Sequence, residues 1–265
     1  VTADQMAGNP TAVYNLLDEI WEPALESAKA ELEAMNEMFQ KDYPGAEFEK
    51  SDWWYYAEKV RKAKYQLDEA AVSQYLSLDN VRSGMFYLAN RLYGITFRPI
   101  SAPKYHPECS VYEVLDVDDS HLGVLYIDPH PRKSKSGGAW CGYFTEQRYE
   151  DGKRVAPVVG IVCNFTPPVG DTPSLLSFDE AETMFHEFGH ALHFLFADVR
   201  YRGLAEVEGD FVELPSQIME NWAFEPEIMK VYATHHSTGD VIPDNLIEKI
   251  QKASLFNQGF ITTEL

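Results

Sequence analysis

Apolar residues change their period twice along this chain. From residue 9 to about residue 94 they recur at helical spacing. Asn9 before Pro10 reads as an N-cap followed by a first-turn proline, after which Val13, Leu16, Leu17 and Ile20 share one face. Pro23 is expected to kink this helix, and Pro44 lies past its end. A second helix is expected from about Asp52 to Gln66, opening on Trp53-Trp54-Tyr55-Tyr56. Such a cluster packs between helices more often than it lines a channel. A third runs from about Asp79 to Tyr93, capped by Ser77 and stopped by Gly94.

Between residues 95 and 165 the pattern becomes that of strands. Val111–Leu115 and Leu122–Ile127 flank Asp-Asp-Ser-His, a hairpin signal. A second hairpin is expected to join Trp140–Arg148 to Val155–Cys163 through Asp151-Gly152. The stretch Val159–Phe165 is expected to offer an open edge for backbone pairing with an extended peptide. Gly137 and Gly138 either admit close backbone approach or form a plain loop. With Ala139 they are candidate substrate-binding residues. The nearby Arg132, Lys133 and Lys135 are expected to form a solvated basic loop rather than a grip on a substrate carboxylate.

From Ser177 the helical period returns. Ser177 and Glu180 form a capping-box pair ahead of a helix expected to reach about Phe196. In its middle stands Phe185-His186-Glu187-Phe188-Gly189-His190-Ala191-Leu192-His193, which contains H-E-x-x-H. His186 and His190, four residues apart, lie about one turn apart on one face, so both imidazoles can reach one ion. Glu187 can reach a metal-bound water without occupying a coordination position, as a general base must.

A catalytic zinc needs a third protein ligand and an open fourth position. His193 is too far along the helix, since a seven-residue span rises about 10 Å. His235 and His236 lie downstream, while Glu213 stands in an acidic helix start, Asp210-Phe211-Val212-Glu213-Leu214-Pro215. Glu213 is the favoured candidate because His-His-Glu is a known catalytic zinc set. Glu182, one turn before His186, could accept the imidazole's other N–H, and Asp210 is its rival for that task.

Two blocks carry a family resemblance. SFDEAETMFHEFGHALH (177–193) and DFVELPSQIMENW (210–222) resemble the signatures of the thimet oligopeptidase and peptidyl-dipeptidase family of zinc metallopeptidases. The second block holds that family's third zinc ligand at the position of Glu213. Gly137-Gly138-Ala139-Trp140, Val159–Phe165, Met6–Trp21 and Asp79–Tyr93 are also similar, so the likeness runs over nearly the whole chain and is strongest to the bacterial peptidyl-dipeptidase branch. The pattern of elements suggests a mainly α fold with a small antiparallel β-sheet beside the zinc helix, zincin-like in setting a glutamate-bearing helix after the H-E-x-x-H helix. The likeness implies Zn²⁺ as cofactor and short peptides as substrates, cut by an oligopeptidase or a peptidyl-dipeptidase. One catalytic domain in three zones (1–94, 95–165, 175–265) is expected.

The family carries a further His- and Tyr-rich loop that polarises the scissile carbonyl, and this sequence shows no such loop. The chain is therefore expected to be an internal fragment, beginning at Val1 without an initiator Met. A zinc-binding but catalytically silent fragment is the alternative function. Tyr232, His235 and His236 are expected to occupy a helix end and loop rather than to substitute for that loop.

Composition narrows the rest. A formal net charge of −20 lacks the basic footprint of nucleic-acid binding. Cys109, Cys141 and Cys163 have no C-x-x-C spacing, which suits a reducing compartment, and Cys163 is expected in the core. No apolar stretch approaches the ~18 residues of a membrane span. A cytoplasmic location is expected, with the periplasm as the alternative, and the oligomeric state is left open.

Overall fold

A computed structural model describes residues 8–253 and 256–264. In chain order the elements are α1 (Pro10–Asp42), a 3₁₀ turn (Lys50–Asp52), α2 (Trp53–Tyr65), α3 (Glu69–Ser73) and α4 (Leu78–Tyr93). Next come β1 (Thr96–Pro99), β2 (Ser110–Leu115), β3 (His121–Asp128), β4 (Trp140–Thr145), β5 (Arg148–Glu150), β6 (Lys153–Val155) and β7 (Val158–Val162). Helices close the chain: α5 (Phe178–Leu195), α6 (Leu214–Ala223), α7 (Pro226–Tyr232), α8 (Asp244–Ala253) and α9 (Gln258–Thr263). They fall into two compact units, residues 1–68 with 243–265, and residues 69–242.

The first unit is helical. Asn9 caps α1 by accepting from the Ala12 N–H at 2.9 Å, and the helix continues through Pro23 to Asp42. Met6, counted above in the helical start, lies outside the described residues. The buried face of α1 is Ala24, Ala28, Glu31, Met35 and Phe39, while Val13, Leu16 and Leu17 stay exposed. The aromatic run divides by helix face. Tyr56 joins Met35, Phe39, Ala57 and Val60 in the core, and Trp53 stacks on Phe260 at 4.2 Å. Trp54 and Tyr55 face outward. The buried Glu31 carboxylate accepts the Gly259 and Phe260 N–H groups at 3.1 and 3.0 Å, satisfying the free donors where α9 begins.

The second unit packs helices on a five-stranded sheet ordered β1-β2-β3-β7-β4. β2 and β3 form the expected antiparallel hairpin. The sheet is mixed rather than antiparallel, because β7 pairs parallel to β3 and antiparallel to β4. This also overturns the expected open edge at Val159–Phe165, since β7 is bonded on both sides. A strand apolar on both faces belongs in a sheet's interior, and β7 (Val-Val-Gly-Ile-Val) is buried along nearly its whole length. β4 is the outer strand instead. The Asp151-Gly152 turn has positive φ at both residues (49° and 75°), as a two-residue hairpin demands, but it joins the separate β5–β6 ribbon.

The basic loop ahead of β4 is a second correction. Arg132 and Lys135 turn inward onto Asp128, which is fully buried at the end of β3. Burial would raise the Asp128 pKa, but hydrogen bonds from Arg132 and Lys135 hold it below the usual carboxylate range. A buried carboxylate needs such partners, so the cations are structural. One face of the sheet, with Leu125, Ile127, Val159 and Ile161, is buried beneath α5. Phe86, Phe97 and Phe188 join α4, β1 and α5, with the first two stacked at 4.1 Å. Cys163 is buried, as expected of a core thiol.

Candidate metal centre

α5 begins where the capping box placed it. Ser177 Oγ accepts from the Glu180 N–H at 3.0 Å, and Glu180 accepts from the Ser177 N–H at 2.9 Å. Its apolar stripe, including Met184, Phe185, Phe188, Ala191 and Leu195, is buried. This burial orients the opposite strip, so His186 and His190 face α6. Gly189 lets the two helices touch, for a Cβ there would stand 2.4 Å from the Pro215 carbonyl oxygen. Gly189→Ala is expected to force α6 away and to cost about 1–3 kcal/mol. Thermal unfolding checks this, and an unchanged midpoint would count against the close approach.

Glu213 is the residue just ahead of α6. Its Oε2 lies 3.3 Å from His186 Nε2 and 3.2 Å from His190 Nε2. These three are the one group among the described residues that could hold a metal ion. The spacings match a tetrahedron, because donors about 2.0–2.1 Å from one ion stand about 3.3–3.4 Å apart. Ser216 Oγ, 2.7 Å from Glu213 Oε2, steadies the carboxylate from inside the first turn of α6.

The partner of His186 differs from expectation. Its Nδ1 lies 2.5 Å from Glu220 Oε1, so Glu220 takes the place given to Glu182 or Asp210. A carboxylate only accepts, which makes Nδ1 the donor and leaves the Nε2 lone pair facing Glu213. Glu182 is held beside Glu220, and burial, then Glu220 and Asp179, raise its pKa to about 7. Glu220 follows Glu213 by seven residues on the same helix face, a spacing that could have flagged it. Glu220→Ala is expected to weaken divalent-ion affinity about 10–100-fold. Competition against a chelator measures this, and unchanged affinity would remove the role.

Glu187 is buried and its Oε2 has no hydrogen-bond partner. Burial raises its pKa to about 6, with His186 lowering and Glu213 raising it. Burial likewise lowers the pKa of His190, which favours the neutral form of the ring that metal ligation would require. An unsatisfied carboxylate oxygen one residue from a three-donor cluster is costly unless something completes the site.

The whole chain, residues 1–265, matches the model of peptidase family M3. The chain belongs to peptidase family M3. It is 43% identical over 267 residues to the dipeptidyl carboxypeptidase of Escherichia coli (strain K12), covering 99% of this chain and 39% of that protein. It is 33% identical to oligopeptidase A of Salmonella typhimurium, covering 99% of the chain and 40% of the relative. Identity to the organellar oligopeptidase A of Arabidopsis thaliana is 35%, over 92% of this chain and 32% of the relative. The chain thus spans about two fifths or less of the length of these M3 relatives.

Other expected residues of this M3 chain lie apart from the cluster. Tyr232 is buried and its hydroxyl donates to the Ala223 carbonyl at 2.7 Å. His236 meets Gln74 at 2.9 Å, and His235 meets Ser237. Asn164 donates to the Ser136 and Gly138 carbonyls at 2.7 Å each, fixing the loop through Gly137, Gly138 and Ala139. Gly138 has φ +83°, so the turn itself calls for glycine. Among the described residues no helix is long and apolar enough to cross a membrane.

Proposed function

We propose that this M3 chain carries the catalytic centre of a zinc-dependent peptidase acting on short peptides, in the zincin-like arrangement of an H-E-x-x-H helix followed by a glutamate helix. The observation that carries this is the buried, unpartnered Glu187 oxygen beside the His186–His190–Glu213 cluster. The names of the relatives, dipeptidyl carboxypeptidase and oligopeptidase A, support peptide substrates for this chain.

His186, His190 and Glu213 would hold the ion. Zinc, when bound, lowers the pKa of its water to about 7 and polarises a carbonyl. Glu187 accepts the proton of the attacking water and hands it to the departing amine. Burial holds its pKa above the ordinary carboxylate range, which makes it a stronger proton acceptor. Glu220 holds the His186 ring in the orientation and tautomer that coordination needs.

The edge of β4 that faces away from β7 supplies backbone groups along which a peptide can lie extended. Pairing of that kind asks little of sequence. Gly137, Gly138 and Ala139, which lead into β4, are the proposed entry to that track.

The test is hydrolysis of an internally quenched peptide by protein purified without chelator. Cleavage is expected, is expected to stop on chelation and to return on adding zinc. Cleavage that survives complete metal removal would sink the reading.

A further inference from the structure

The sheet face away from α5 holds a cavity that the metal centre does not use. Side chains alternate along β4. Cys141 faces Glu187, whose charge adds to burial in raising the thiol pKa, and the Tyr143 ring meets Phe194 edge-on at 5.3 Å. Trp140, Gly142 and Phe144 therefore point to the other face, where Phe144 meets Tyr126 at 5.7 Å and Tyr105 at 5.8 Å. Between them and the loop before β4 lies a cavity of about 340 Å³, lined by Tyr105, Arg132, Trp140, Phe144 and Val162 over Asp128 and Lys135.

The chemistry of the floor decides what the cavity can take. Arg132 places both terminal nitrogens on Asp128, at 2.8 and 2.7 Å, and its Nε on Ser134 at 3.2 Å. Lys135 Nζ lies 2.9 Å from Asp128 Oδ1 and also donates to the carbonyls of Asp128, His130 and Cys163. Lys135 is saturated, and Arg132 commits three of its five N–H groups to Asp128 and Ser134, so both cations are already compensated by one buried carboxylate. Beside Ser134, Ser136 and Gly137 of the loop, the rest of the wall is aromatic and aliphatic: Tyr105, Trp140, Phe144 and Val162.

Two glycines seat the rings of that wall. Gly142 pairs with Gly160 of β7, and neither carries a side chain. The Trp140 ring rests against Gly142, where a Cβ would stand 3.2 Å from it, and the Phe144 ring rests on Gly160, where a Cβ would stand 2.8 Å away. Both rings are 54% exposed. The rings lie over bare backbone and leave about half of their surface open to solvent.

Among the described residues β4 pairs only with β7, so its other edge has backbone groups to offer. A peptide extended on that edge alternates its side chains between the two faces. Where one residue lies opposite Cys141, one neighbour stands opposite Trp140 and the other opposite Gly142, between the Trp140 and Phe144 rings.

We propose that the outer-face cavity is a substrate subsite that takes an aromatic or long apolar side chain from a residue next to the one held beside Glu187. This rests on the peptidase reading above. An aromatic ring buries a large area and stacks well on such walls. The metal centre then sets which bond is cut, and the opposite face of the same strand sets which peptide is preferred.

The experiment measures dissociation constants on the Glu187→Gln chain, loaded with zinc, by anisotropy of fluorescein-labelled peptides. Peptide pairs differ only by Phe or Ala, moved one position at a time. One position is expected to prefer Phe by about tenfold, within the range of an apolar pocket. Trp140→Ala and Phe144→Ala, and separately Gly142→Val, whose side chain would push the Trp140 ring from its place, are expected to bring that ratio close to one. A parent with no Phe preference at any position overturns the subsite. So does a preference that survives in all three variants, or a loss that falls equally on both peptides of the pair. If no peptide binds the parent, the peptidase reading falls first.

Discussion

Glu187→Gln is expected to lower kcat on peptides by about 10²–10⁴-fold, the usual contribution of a positioned general base. The reasoning starts from burial. Glu187 is buried with one oxygen unpartnered, so that oxygen is open to accept a proton. Gln keeps the shape and loses the ability to accept a proton from water. Zinc content is expected to stay at that of the parent, because the residue is not among the three clustered donors. Elemental analysis run beside steady-state kinetics separates the two effects. Zinc lost with activity would make Glu187 a ligand or a structural carboxylate, and activity retained would remove it from the mechanism.

Glu213→Ala is expected to abolish tight zinc binding. Removing an outer partner of a ligand costs about 10–100-fold in affinity, and loss of the ligand itself is expected to cost more, on the order of 10³-fold. The oxygen removed stands 3.2–3.3 Å from both imidazole nitrogens. Its loss leaves only the two histidines of one helix, which cannot close a tetrahedral site. The parent should carry about one zinc per chain and the variant close to none. The added unfolding temperature that zinc gives the parent should vanish as well, since only a bound ligand stabilises the native state. A variant that keeps its zinc would move the third ligand elsewhere.

The two predictions differ in how much of their basis is legible in the residues alone. H-E-x-x-H is local, and four-residue spacing on a helix places two imidazoles together whatever the rest of the chain does. The capping box at Ser177 and Glu180, the N-cap at Ser77 and the stop at Gly94 are equally local, and the structure has them all. Glu213 is less local, since it comes from a second helix whose approach depends on Gly189 and Pro215. Glu220 was passed over because the nearer carboxylate, Glu182, sits on the same helix as His186. Helix packing brought a more distant one to 2.5 Å.

The same division runs through the fold. Sequence alone determined the helical and strand-rich zones through hydrophobic period, the start of α5 through its capping box, and the placing of two histidines on one face of it through their spacing, because these follow from contacts a few residues apart. Tertiary structure alone decided that β7 lies inside the sheet and β4 outside, since pairing order depends on which faces get covered. It also decided that Arg132 and Lys135 serve a buried aspartate rather than water, and which carboxylate steadies His186. Pairing, burial and charge compensation join residues far apart in the chain, and their partners exist only once the elements have packed.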